Sequence, residues 1–468
     1  MNIVQTKNYM RIFSVATAVL APNRVFAHAS EGGFVLLLPT NIYIFAGVSS
    51  VALTVIFLAI LPDKPLSRLF HPLKFGGRVF SRLPLVTSFL SFCFLCWLIY
   101  VGITGPRDPL SNPLPLFIWT IWWAALVFLQ GVLGDLWRWI NPWSGPVAYV
   151  RRLLGIRPFL RFPTCFGYTG AVAIFLLFSS VLLADPAPSD PARLAGYVAG
   201  YWVFTFIAAL VFGSRWMSRA EGISVFMGIY GRLGFFMRTG NTYAVGITGW
   251  QILQMRRPNI WLAIFIILML GSGSFDGLNE TFWWLDLLGL NPLEYPGRSA
   301  VIAQNIFGLV IANIGLILIF TLSVWLGLLL NRSEMRLSDA FCYFAPTILP
   351  IALGYHFAHY YTSFLVDGQY ALAAATDPMS TGSDFLGLGD FYVTTGFFSS
   401  QHSVRLIWLT QAGAVVVGHI FAIILAHLIA VKQFGTNYNA VVTQAPLAIF
   451  MIIYTFFGLW LLASPRGF

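Results

Sequence analysis

The chain has 468 residues, 58% hydrophobic, 16% aromatic and only 9% charged, with mean hydropathy +0.78. That composition excludes a soluble globule, which needs more polar surface than this to cover itself. The net charge of +10 does not point to nucleic acid, because its distribution among the loops accounts for it. What remains is an all-α, polytopic helical membrane protein, since backbone amides facing lipid must pair within their own helix.

Residues 1–27 have the shape of a signal peptide: Lys7 and Arg11 lead, Ile12 to Ala21 is apolar, and Val25 and Ala27 suit the small-residue cleavage rule. Ten apolar residues are too few to span a bilayer. Cleavage would make His28 the first residue, and 28–468 is then read as a single helical membrane domain.

Ten spans follow, at about 41–61, 84–104, 114–134, 165–184, 194–213, 257–272, 300–330, 340–366, 404–431 and 444–463. With residue 28 outside, alternate loops fall on the cytoplasmic side. Those loops hold nineteen Lys or Arg, counting Arg257 at a boundary, against five acidic residues; the other side holds five basic and twelve acidic. This asymmetry meets the positive-inside rule. It predicts a bacterial inner-membrane protein with both the mature N-terminus and the C-terminus periplasmic.

Two arginine-bearing stretches, 142–161 and 219–238, read as helices lying on an anionic leaflet, and Trp137, Trp139 and Trp143 read as interfacial anchors. Cys93 and Cys96 share a helical face and could hold a soft metal, although cysteine as a small core residue is the commoner case. All four cysteines, Cys93, Cys96, Cys165 and Cys342, fall in or beside predicted spans, so no periplasmic disulfide framework is expected.

The segment 271–299 closes the sixth span with carboxylates among aromatics. If it is helical, Asp276 and Glu280 lie one turn apart and face the same way, placed to orient a histidine or accept a proton from water. A capping turn with a tryptophan anchor is the other reading. Five of the seven histidines lie between 354 and 431: His356 and His359 on one span, His402 in the loop, His419 and His427 on the next. Ionisable side chains inside a membrane mark a functional site by default. His356, His359 and His419 together offer a three-imidazole site for a divalent transition metal, zinc or copper, with an open position for water. Neutral imidazoles hydrogen-bonding across helices are the alternative.

The run Tyr355-His356-Phe357-Ala358-His359-Tyr360, with Asp367-Gly368-Gln369, Gly418-His419 and Ala426-His427, resembles the bacterial integral-membrane fenitrothion hydrolase-like proteins. Phe275-Asp276-Gly277, Thr281 and Trp284 are similar to their external loop. The resemblance covers mainly residues 257–431 and implies metal-dependent hydrolysis of an apolar thiophosphate triester. Asp276 or Glu280 would then orient a ligand or accept a proton. A copper transporter or handling protein, using His28, His419 and the Cys93/Cys96 pair, is the leading non-enzyme expectation. Haem held by His356 and His419 is the third. The partners expected are lipid and an apolar small molecule or metal ion, with a second membrane subunit left open.

Overall fold

The structure is a computed structural model that describes residue 35 and residues 38–466, apart from 62, 78–81, 240, 295, 296, 390 and 436. The expected signal peptide and His28 lie outside the described residues.

The longer helices are α1 (Thr40–Ile60), α2 (Leu83–Thr104), α3 (Pro113–Leu133), α4 (Ser144–Leu154), α5 (Thr169–Ala184), α6 (Pro191–Phe212), α7 (Gly222–Tyr230), α8 (Ile260–Leu278), α9 (Ile302–Leu330), α10 (Leu337–Thr376), α11 (Gln401–Phe434) and α12 (Asn437–Ala463). Among the described residues nine of these, all but α4, α5 and α7, are long and apolar enough to cross a membrane. The expected fourth span is α5, apolar but only 16 residues long. The chain is an all-α, multi-pass membrane protein.

The helix starts are written locally. Proline stands in the first turn of α2, α3 and α6, where its missing N–H costs nothing. Asn112 and Asp190 accept from the backbone N–H of Leu114 at 3.0 Å and Arg193 at 2.8 Å, and Asn259 caps α8 through Trp261 N at 2.9 Å.

The centre of the bundle is α8, α10 and α11, whose most apolar windows are 72%, 72% and 61% buried, whereas α1 and α2 reach only 17% and 22% and form the rim. Two glycines bring α10 and α11 into backbone contact. A Cβ at Gly354 would meet the Ala414 carbonyl, and one at Gly418 would meet the Pro350 carbonyl. Small residues at such crossings are what membrane packing favours, because association there rests on close van der Waals fit. In α3 the residues Leu116–Leu126 form a π-helix, with i→i+5 closure in place of i→i+4.

Two expectations are corrected. The stretch 219–238 is not a surface helix: α7 buries Val225, Phe226, Met227, Ile229 and Tyr230 in the core, and Phe236–Thr239 is a strand. A helix apolar all round belongs inside. That strand, β2, joins β1 (Leu73–Gly76) and β3 (Thr242–Val245) in an antiparallel sheet of order β1-β3-β2. Trp137 and Trp143 are also core residues rather than interfacial ones, 7% and 4% exposed. Their indole N–H groups are satisfied internally, by Ser224 Oγ at 3.0 Å and the Trp202 carbonyl at 3.1 Å.

Candidate functional site

Helix α8 runs on past the expected end of the sixth span and carries Asp276 into the core, while Glu280 falls beyond its last turn. The two carboxylates therefore do not form a pair. Asp276 faces α10, and its Oδ2 lies 3.1 Å from His359 Nε2; the two side chains are 14% and 9% exposed. Tyr360 donates its hydroxyl to the same oxygen. Glu280 instead meets Arg298 at 3.3 Å, each about a third exposed, and Arg298 also donates to the Leu182 carbonyl at 3.0 Å.

A carboxylate can only accept, so in the neutral imidazole the hydrogen bond to Asp276 puts the His359 proton on Nε2 and leaves the lone pair on Nδ1. Among the described residues that buried Nδ1 has no hydrogen-bond partner, and the Tyr355 hydroxyl is in the same state. Both stand against Gly277: a Cβ there would collide with the Tyr355 hydroxyl and come within 3.7 Å of His359 Nδ1. The His359 and Tyr355 rings lie parallel, 6.0 Å apart at 12°, and Tyr360 packs edge-on to His359 at 4.7 Å. The imidazole is thus held in orientation by a carboxylate at one end and by two rings.

Beside this group is a cavity of about 30 Å³, lined by Asp276, Tyr355, His356, His359, Tyr360 and Trp123 with apolar neighbours. It has room for about one or two water molecules and polar groups to hold them.

His356, one turn before His359, is turned to α3. Its Nε2 donates to the Trp123 carbonyl at 2.8 Å, inside the π-helical stretch, and its ring meets Trp123 edge-on at 5.2 Å. His419 donates Nδ1–H to the Val415 carbonyl of its own helix at 2.8 Å, and its buried Nε2 has no partner among the described residues. Its ring lies 6.4 Å from that of Tyr454, whose hydroxyl is shared with Ser274 at 2.7 Å. His427 bonds Gln444 at 2.8 Å, and His402 is exposed.

Each of the three expected ligands has one nitrogen fixed by an outer partner, as metal-binding histidines do. They are not brought together, however: among the described residues no group of three or more His, Cys, Asp or Glu is placed to hold a metal ion. The structure joins His359 with Asp276, sets His356 behind them, and leaves His419 apart. As placed, these residues do not fit a three-histidine centre. Cys93 and Cys96 are exposed free thiols on α2, and Cys342 is a buried one on α10.

In the sequence Tyr355 and Tyr360 stand only as neighbours of the histidines, and no motif marks Trp123, Ser274 or Tyr454. The tyrosines carried a signal, since a phenol beside an intramembrane histidine needs a partner. Trp123 contributes a backbone carbonyl, which no side-chain pattern announces. Gln369, also in the motif, is structural: it exchanges hydrogen bonds with Thr394, 2.9 and 3.0 Å, and ties the loop after α10 to the helix.

No family model, curated protein or solved structure matches the chain.

Proposed function

We propose that this membrane protein hydrolyses a small apolar ester, of the phosphotriester or thiophosphotriester kind that its resemblance implies, with Asp276, His359 and Tyr360 as the acid–base group. The observation that carries the reading is the bare, buried Nδ1 of His359 on a ring whose Nε2–H is held by Asp276. A carboxylate–imidazole pair with a free lone pair is the arrangement that takes a proton from water.

On this reading a water in the cavity gives its proton to His359 Nδ1 as its oxygen bonds to phosphorus and the aryloxide leaves. Asp276 holds the imidazolium, which then passes the proton to the leaving oxygen. Tyr360 fixes the carboxylate and does not touch the substrate. The cavity takes the water and not the ester, so turnover requires the surrounding helices to part. The charge split among the loops supports a bacterial inner-membrane location with the termini on the periplasmic side.

The test is nitrophenol release from a thiophosphate triester by the purified protein. His359→Gln is expected to lower it by about 10²–10⁴-fold, the usual worth of a positioned base. Unchanged release from folded His359→Gln protein overturns the reading.

A second reading, transition-metal handling, draws on His419. Its fixed Nδ1 and bare, buried Nε2 have the form of a waiting ligand. Copper and zinc analysis of wild type and His419→Ala separates it from hydrolysis: metal content that falls in the variant while nitrophenol release does not is the handling outcome.

A further inference from the structure

A second cavity, of about 460 Å³, lies far along the chain from the histidines, where α6 ends. Its walls are Leu160, Arg161 and Phe162 on one side and Phe212, Ser214 and Arg215 on the other. The volume is within the range of small-ligand pockets, about 300–1,000 Å³.

Its position fixes what it meets. Phe212 is the last residue of a membrane-spanning helix, so the cavity opens where hydrocarbon gives way to headgroups. Leu153, Leu154, Phe159 and Leu160, in the segment leading into it, are 57–70% exposed, an apolar surface that suits acyl chains.

The charge around it is one-sided. Residues 136–184 contain five arginines and no acidic residue, and 191–275 contain one, Glu221. Glu221 is fully buried; it accepts from Tyr201 and caps α7 through Ile223 N and Ser224 N, so it does not neutralise the rim. Arg151 is committed too, its Nη2 donating to the Ala209 and Leu210 carbonyls at 2.7 and 3.1 Å. There it offsets the negative end of the α6 dipole. Arg161 and Arg215 are exposed, and among the described residues neither pairs with a carboxylate. Two unpaired guanidinium groups on an apolar-walled cavity at a membrane boundary fit one chemistry, a phosphate carried on acyl chains.

We infer that the cavity between Arg161 and Arg215 is a binding site for the phosphate of an anionic membrane lipid, with the acyl chains lying along the exposed apolar face of 153–160. The arginines hold the phosphate oxygens, and the lipid pins the end of α6 to the segment 158–162. This stands independently of the hydrolytic reading.

The experiment is native mass spectrometry of the full chain in detergent, titrated with phosphatidylglycerol, with phosphatidylcholine, or with inorganic phosphate alone. Wild type should retain phosphatidylglycerol in preference to phosphatidylcholine. Arg161→Gln with Arg215→Gln should weaken it about tenfold or more, two surface arginines being lost, and the paired change to lysine should recover most of the affinity. Arg256→Gln is the control and should bind as wild type, and each variant should keep the lipid-free unfolding midpoint. Equal retention of the two lipids, or unchanged binding in the double glutamine variant, overturns the proposal. Phosphate binding as tightly as the lipid would assign the cavity to a soluble anion and also overturns it.

Discussion

Asp276 and Glu280, four residues apart in sequence, are separated by the end of a helix: one holds His359 in the core and the other holds Arg298 at the surface. A one-turn spacing on paper becomes two unrelated environments. The first prediction follows. Asp276→Asn should remove nitrophenol release nearly as completely as His359→Gln, because the amide no longer fixes the imidazole tautomer. Glu280→Gln should retain it. Equal losses from both would mean that the carboxylates act as a pair after all.

A buried ion or hydrogen-bonded pair broken from one side costs more than the pair contributes. His359→Ala leaves Asp276 with Tyr360 as its hydrogen-bond partner among the described residues, and should destabilise the protein by about 3–5 kcal/mol. The combined change of His359→Ala and Asp276→Leu should restore part of this. Thermal unfolding in one detergent measures both; a double variant weaker than the single one contradicts the assignment.

His356 is predicted to behave differently from its neighbour. Its bond to the Trp123 carbonyl crosses between α10 and α3, and interhelical hydrogen bonds in membranes average about 0.6 kcal/mol. His356→Phe should therefore cost little stability and leave nitrophenol release largely intact. Loss of bound metal in this variant would instead support the shared-ligand expectation.

At the crossing of α10 and α11, Gly354→Ala and Gly418→Ala should each cost about 1–3 kcal/mol, since the added methyl meets a backbone carbonyl that cannot rotate away. Gly413→Ala, on the same helix with open space at its Cβ, should be neutral.

The loop after α10 should be sensitive to acid. Backbone N–H groups of Thr381 and Gly382 hold the Asp377 carboxyl below its ordinary value, and those of Gly389 and Leu388 do the same for Asp384. Carboxyls depressed on folding contribute stability above the usual aspartate range, and that contribution is lost as pH falls through their lower folded values. Hydrogen exchange at these four amides should show protection above about pH 4 that fades below it. Protection independent of pH would show that the carboxylates do not hold the loop.

How much of this was legible in the sequence depends on range. The helices were, because hydrocarbon-length apolar runs leave the backbone no alternative. That Asp276 and His359 need partners was legible too, since each is costly where it sits. Which histidines converge was not. His356 and His359 are three residues apart, and only the rotation of α10 against α3 and α8 sends one to Trp123 and the other to Asp276. The stretch 219–238 misled because its arginines flank a helix that is itself apolar but for Ser224, and Trp137 and Trp143 misled because indole suits a core and an interface equally.

The π-helical stretch of α3 packs extra residues into each turn, so the two halves of that helix are out of phase by more than their spacing suggests. Removing one residue between Leu116 and Trp122 would swing everything after it by roughly 80–100° around the axis. The Trp123 carbonyl would then leave His356, and the wall of the small cavity would turn with it. The wide turns act as a rotational index. They set which face of α3 meets α10, and the helix would keep its apolar character but lose its registration if it were shortened.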